Sequence, residues 1–289
     1  MIQIKDFLHR KKILILIVCL LIVQFTQLIA QQKQIRIGTF NIEWLGDGNA
    51  DTIRRNENDY LAIAKIIETI DCDVLALQEI ENEDALRKVM DKVKRKYYLF
   101  IDTSTKNLHK VAILYDKSFQ KIDEQFIHLS FQEISYKRPA LYLKLKKKDK
   151  EFEFISLHLK SSSKKNHDKK QSIVSPKEIR TKQANELIDW MKKHQKNHAI
   201  LLGDFNEEYE KGTILKQFEN TFNSVVISKN MISCANPKWK MIDHIILPEH
   251  FRKTYKVERL QNYNHRIMYT TTNAPKISDH CLLYYTLRY

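Results

Sequence analysis

The chain has 289 residues, 49 Lys and Arg against 35 Asp and Glu, a formal charge of +14 and four cysteines. Four cysteines in so long a chain exclude a disulfide-built scaffold, and no C-x-x-C spacing occurs to hold zinc through thiolates. The basic excess suits a polyanionic partner, of which nucleic acid is the commonest, although a lysine-rich composition also serves solubility alone.

The chain opens with Lys5, Arg10, Lys11 and Lys12, followed by the apolar run Ile13 to Val23 and by Leu28-Ile29-Ala30. This is the order of a secretory signal peptide, expected to span residues 1–30 with cleavage near Ala30. A membrane span needs about 18 apolar residues, more than this run offers, so an uncleaved anchor is the lesser alternative. Residues 31–289 then form one domain, secreted or periplasmic, with no linker and no repeat. Without the leader, which holds four basic residues and one acid, the charge is about +11. Cys72, Cys234 and Cys281 remain, an odd number that leaves at least one outside any intrachain pair.

Ile35 and Ile37 alternate with polar residues and predict a strand running into Thr39-Phe40-Asn41. Tyr60, Ile63, Ala64, Ile67 and Ile70 recur at helical spacing. Val74 to Leu77 reads as a buried strand. Leu86, Val89, Met90, Val93 and Tyr97 predict a second helix, and Val111 to Tyr115 a strand. Leu141, Leu143 and Leu145 alternate, and Phe152, Phe154 and Ile155 carry a strand into Ser156-Leu157-His158. After a basic loop from Lys160, Ser175, Pro176 and Glu178 supply an N-cap, a first-turn proline and a capping box for a helix through Met191. Ala199 to Leu202, Met241 to Leu247 and Cys281 to Leu287 predict further strands. Strands and helices mix throughout, which gives an α/β class with too few helices for a regular eightfold barrel.

Polar residues able to bind metal or phosphate follow these apolar runs. They are Asn41, Glu79, His158, Asp204 with Asn206, Asp243, and Asp279 with His280. In order they stand in Gly-Thr-Phe-Asn41-Ile, Leu-Gln78-Glu79, Ser-Leu-His158-Leu-Lys160-Ser, Leu-Gly-Asp204-Phe-Asn206, Ile-Asp243-His-Ile-Ile and Ser278-Asp279-His280. This series resembles the deoxyribonuclease I-like (endonuclease/exonuclease/phosphatase) superfamily, over about Ile35 to Tyr289.

The resemblance implies a four-layer α/β/β/α sandwich, two packed mixed sheets flanked by helices. It implies Glu79 as the main carboxylate ligand of magnesium or manganese, with calcium as a third candidate, and Asn41 and Asp279 beside it. Carboxylate and carbonyl oxygens suit such hard cations. Asp204 and Asn206 resemble the pair that orients the attacking water and meets the scissile phosphate. Asp243 and His280 resemble a carboxylate–imidazole pair, and His158 a residue set against the phosphate. Asp204 and His280 are both candidates for the proton acceptor, and Asp204 is preferred. Arg138, Lys160 and Trp239 are candidate substrate contacts; Trp239 stands between two lysines ahead of Asp243.

Two departures from the family stand out. The first histidine of the deoxyribonucleases pairs with a glutamate just ahead of a central strand, yet Asn107-Leu108-His109-Lys110 offers no acid. The last motif often continues with proline, whereas Cys281 follows His280 here. His109, His167, His194 and His198 read as structural, and Glu207 and Glu208 as solvated loop charges. The expected function is a secreted, divalent-metal-dependent phosphodiesterase, most readily a nuclease acting on DNA and also RNA, by in-line attack of water. It would act as a monomer with no stable membrane partner. A phosphatase or sphingomyelinase-like enzyme of the same fold is the alternative. A binding module without catalysis is the weakest reading.

Overall fold

A computed structural model describes residues 34–49, 51, 53–106, 108–129, 138–162, 174–234, 236–254, 261–263 and 277–288. The leader and most of the lysine-rich loop lie outside the described residues. Twelve strands run β1 Gln34–Leu45, β2 Val74–Ile80, β3 Tyr97–Ile101, β4 Lys110–Asp116, β5 Gln120–Ile127, β6 Ala140–Lys147, β7 Lys150–His158, β8 Ile200–Asp204, β9 Ser224–Val226, β10 Asp243–Pro248, β11 Gln261–Tyr263 and β12 Leu282–Arg288. Helices are α1 Glu57–Ile70, α2 Glu83–Met90, α3 Pro176–Lys193, α4 Ile214–Phe222 and α5 Glu249–Thr254. One six-stranded sheet has the order β11-β12-β1-β2-β4-β3, the other β5-β6-β7-β8-β10-β9.

Strand periodicity builds the layers. Ile35, Ile37, Val74, Ala76, Val111 and Ile113 of the first sheet face Leu141, Leu143, Phe152, Phe154, Ile200 and Leu202 of the second across one inter-sheet core. The intervening residues point outward. Leu75, Leu77, Ala112 and Leu114 pack under α1 and α2. Tyr142, Ile155, Leu157 and Leu201 pack under α3 and α4. Both faces of each sheet are covered, which is why these strands read as apolar runs rather than clean alternations. The result is the expected α/β/β/α sandwich.

The predicted helix through Tyr97 stops at Met90, and Tyr97 instead opens β3. Val93 is buried from the turn that follows, so its helical spacing was coincidental. The guanidinium of Arg95 bonds Asp71, Asp73 and Asp116 at 2.7–2.8 Å, which anchors the chain at the end of β4 and lays β3 beside it. Strand β5 escapes pattern reading because it is a polar edge strand, QKIDEQFI. The predicted start of α3 is correct: Ser175 and Glu178 cap one another reciprocally around Pro176.

Candidate active site

Connectivity brings the motif residues to one edge of the sandwich. Strands β1 and β2 run parallel, as do β7 and β8, so Asn41, Glu79, His158 and Asp204 all sit at C-terminal ends. Strand β10 is antiparallel to β8 and begins with Asp243 opposite Asp204. Strand β12 is antiparallel to β1, so Ser278-Asp279-His280 enters from the same edge.

The backbone bends to aim these side chains. Register shifts interrupt β1 after Asn41 and β2 after Gln78. Glu43, Trp44, Glu79 and Asn206 are all left-handed, with φ of 55°, 65°, 63° and 51°. Non-glycine residues in this region cost about 1–3 kcal/mol each and persist where neighbours over-determine them. Arg55 supplies that determination for β1. Its buried guanidinium donates to the carbonyls of Ile42 (2.9 Å), Glu43 (2.6 Å), Trp44 (3.1 Å) and Ile277 (2.9 Å). It therefore ties the end of β1 to the segment that carries His280. Ser278 Oγ adds a second tie, donating to the Asn41 carbonyl at 2.7 Å.

Asn41 is the hinge of the polar cluster. Its Nδ2 donates to Glu79 Oε1 and to Asp204 Oδ2, each at 3.1 Å. Asn206 holds Asp204 from the other side, through its backbone N–H (2.8 Å) and its Nδ2 (3.1 Å). The same Nδ2 reaches the Leu159 carbonyl at 3.0 Å, so both amide hydrogens are committed within the protein. His280 Nδ1 lies 2.8 Å from Asp243 Oδ2, and its Nε2 lies 4.0 Å from Asp204 Oδ2. His158 Nε2 lies 3.4 Å from Asp204 Oδ2 and 3.9 Å from Glu79 Oε1.

These environments drive the titratable groups apart. Burial, reinforced by the Asp243 carboxylate, pushes Asp204 up to about 7, against the pull of His280 and its amide donors. Burial acts against the charged form of His280, but Asp243, Asp204 and Asp279 outweigh it and raise the imidazole well above its ordinary range. His158 is held well below that range by burial and by the Arg138 charge. Glu79 is held below the usual carboxylate range despite burial, because His109, His158 and Asn41 favour its anion.

The peripheral candidates divide. Arg138 is buried rather than exposed at the surface. Lys160 contributes its backbone: its N–H meets Gln183 and its carbonyl accepts from Arg180. Trp239 is 57% exposed and lines a cavity of about 300 Å3 shared with Asp243, Asp279 and His280. His109, read as structural, stands beside Glu79. Its Nδ1 lies 3.6 Å from Glu79 Oε2, and its ring meets Trp44 edge-on. Glu207 is buried and accepts from the N–H groups of Ile214 and Leu215, so it caps α4 rather than lying in solvent. Thr213 at the N-cap position makes no side-chain bond, and Glu207, seven residues ahead of Ile214, takes that role, which no local sequence signal gave.

Residues 38–280 match the sequence model of the endonuclease/exonuclease/phosphatase family. The chain belongs to this family. No curated protein matches it. Among solved structures it is similar to the human Nocturnin catalytic domain with bound sulfate, at 17% identity and TM-score 0.65, covering 88% of this chain and 94% of that one. It is also similar to truncated TDP2 from Caenorhabditis elegans, at 19% identity and TM-score 0.63, covering 89% and 98%. TDP2 from D. rerio complexed with a single-strand DNA product gives 16% identity and TM-score 0.63, covering 89% and 99%. At these identities the likeness shows the fold.

Enzymes of the endonuclease/exonuclease/phosphatase family use divalent metals, and the donor set here fits one. Carboxylate oxygens of Asp204 and Asp243 lie within 4.8 Å of one another beside His280, whose raised imidazole serves as a donor and not as a ligand. Asp243 Oδ1 is buried with no hydrogen-bond partner among the described residues. Glu79, ionised and bonded to Asn41, stands alongside, while Asp279 sits half-exposed at the rim, 3.7 Å from His280 Nε2. Against the deoxyribonuclease branch of the family, His158 lacks its acidic partner: its Nδ1 is buried without a hydrogen bond among the described residues.

Proposed function

We propose that the chain is an exported, divalent-metal-dependent phosphodiesterase that hydrolyses nucleic acid. The observation that carries this reading is the convergence, on one sheet edge, of Asn41, Glu79, His158, Asp204, Asn206, Asp243 and His280 from both sheets. Glu79, Asn41 and Asp279, with Asp204 and Asp243 beside them, would hold the cation. Bound there, it supplies charge neutralisation at a phosphate oxygen and Lewis acidity.

The protein residues have distinct tasks. Asp204, at the centre of the cluster and bonded by Asn41 and Asn206, takes the proton of the attacking water. Asn41 and Asn206 keep that carboxylate in one orientation. His280, held protonated by Asp243, donates to a phosphate oxygen as charge develops. His158, kept neutral by its surroundings, stands between Glu79 and Asp204 and orients both. Trp239 and Arg138 contact the rest of the substrate.

The nucleic-acid reading is supported by the charge of about +11 left on residues 31–289 and by the similarity to a protein complexed with single-strand DNA product. Export, with residues 1–30 as leader and 31–289 as the working domain, is supported by the basic–apolar–small order at the start. The Cys234–Cys281 disulfide is in keeping with an oxidising compartment. Purified protein assayed on plasmid DNA, RNA, sphingomyelin and inositol phosphates, with magnesium, manganese, calcium or chelator, tests the reading. Cleavage of DNA or RNA abolished by chelator is expected. Turnover of lipid or inositol phosphate without nucleic-acid cleavage would replace it by the phosphatase or sphingomyelinase-like alternative. A mature N-terminus at Gln31 in protein recovered from outside the cytoplasm tests export.

A further inference from the structure

Cys281, which stands directly after His280, is bonded to Cys234, 47 residues earlier, with Cα atoms 5.8 Å apart. Cys234 sits on a hairpin from Met231 to Met241. The hairpin is closed by Met241 N–H to Met231 O (3.1 Å), an Ile232–Lys240 bridge and Ser233 N–H to Trp239 O (2.9 Å). Its far end turns through Trp239 N–H to Asn236 O at 3.0 Å. Its base is anchored, with Met241 3% exposed in the inter-sheet core and Met231 N–H donating to Ser228 O at 3.0 Å, while its far end reaches the surface. Ile232 and Trp239 are exposed, and Met231 and Cys234 pack only partly against the inter-sheet core. An isolated two-stranded hairpin is marginal in water.

This hairpin is one wall of the cavity beside the catalytic edge. Ser233, Trp239, Lys240 and Met241 line it on one side, Asp279 and His280 on the other. Cys281 is 1% exposed and stands just before β12, so the bond ties the far part of the hairpin to the segment that carries His280. The exposed Trp239 indole lines this cavity and offers a face on which an aromatic base can stack.

We propose that the Cys234–Cys281 disulfide is a positioning bond for substrate. It holds Trp239 and Lys240 at a fixed distance from His280, so that affinity for an extended nucleotide substrate depends on it while the chemistry at Asp204 does not. The proposal rests on the phosphodiesterase reading above. Reduction by a dithiol such as dithiothreitol breaks the S–S bond. Two electrons and two protons pass to the sulfurs, giving two thiols, and the reductant closes to its own disulfide.

The test compares the oxidised protein, the protein reduced with dithiothreitol and alkylated, and Cys234→Ser. Three quantities are read below the melting temperature: amide exchange across Met231–Met241, kinetics on a single-stranded DNA oligonucleotide, and kinetics on bis(p-nitrophenyl) phosphate. Breaking the bond should speed exchange in the hairpin and raise KM for the oligonucleotide about tenfold, with kcat within about twofold. Turnover of the small diester, which does not span the cavity, should stay within about twofold. In the oxidised protein Trp239→Ala should raise KM similarly, and combining it with Cys234→Ser should add little. Unchanged hairpin exchange, an unchanged oligonucleotide KM, or equal losses on both substrates would overturn the proposal. If the oxidised protein hydrolyses the small diester but no oligonucleotide, the nucleic-acid reading fails instead, and hairpin exchange still decides whether the bond holds the wall.

Discussion

Asp204 is buried and His280 partly so, 4.0 Å apart; burial and Asp243 favour the neutral acid at Asp204, while Asp243, Asp204 and Asp279 favour the charged imidazolium at His280. Such divergence marks an acid–base division of labour. Replacing Asp204 with Asn keeps the volume and removes the base; kcat should fall about a thousandfold with the melting temperature nearly unchanged. Activity near the parent level would remove Asp204 from the role. Another buried imidazole, His244, serves the scaffold. Its Nε2–H donates to the Glu207 carbonyl at 2.9 Å and its Nδ1 meets Ser228 Oγ at 2.8 Å. Burial lowers it from 6.5 to about 4. Between those values the unfolded chain binds this proton and the native chain does not. Stability is therefore full above pH 6.5 and falls on the order of 3 kcal/mol as pH drops towards 4. Denaturant unfolding across that range should show this part of the loss in the parent and not in His244→Asn. His109 had no legible role in the sequence, because only the pairing of β4 with β2 brings it to Glu79.

At the scale of elements, the active edge depends on where β1 and β2 leave their regular course. The left-handed residues there carry ordinary side chains, Glu43, Trp44 and Glu79, so composition gives no sign of the bends. Arg55, which satisfies four carbonyls around them, reads in sequence as one more basic residue ahead of a helix. Arg55→Met should destabilise the fold by about 2–4 kcal/mol. It should also lower activity beyond the loss of folded protein, measured as kcat on molecules shown folded by circular dichroism. Stability loss with full kcat would confine Arg55 to a structural role. Elements with strong local signals were legible: α3 through its capping box, the inner strands through their apolar runs. The second helix was read seven residues too far, into the first residue of β3, because Val93 and Tyr97 mimic helical spacing while Arg95 and its three aspartates decide the outcome.

For the whole molecule, two sheets share one core, and the site lies along the edge that both supply. Leu143 is fully buried in that core. Leu143→Ala should cost about 2–5 kcal/mol by transfer and cavity formation, read from denaturant midpoints. A smaller cost with unchanged packing would mean the sheets close up more freely than the structure suggests. The sequence by itself determined the class, the family and the order of the motif residues, because apolar runs and short polar motifs are local properties of a chain. Only the tertiary structure decided that His109 meets Glu79, that Glu207 caps a helix, that Arg55 binds two distant segments and that Cys234 pairs with Cys281. Each of those depends on which strands lie side by side and how their ends bend, and contacts between residues far apart in the chain are set by the packing of the whole.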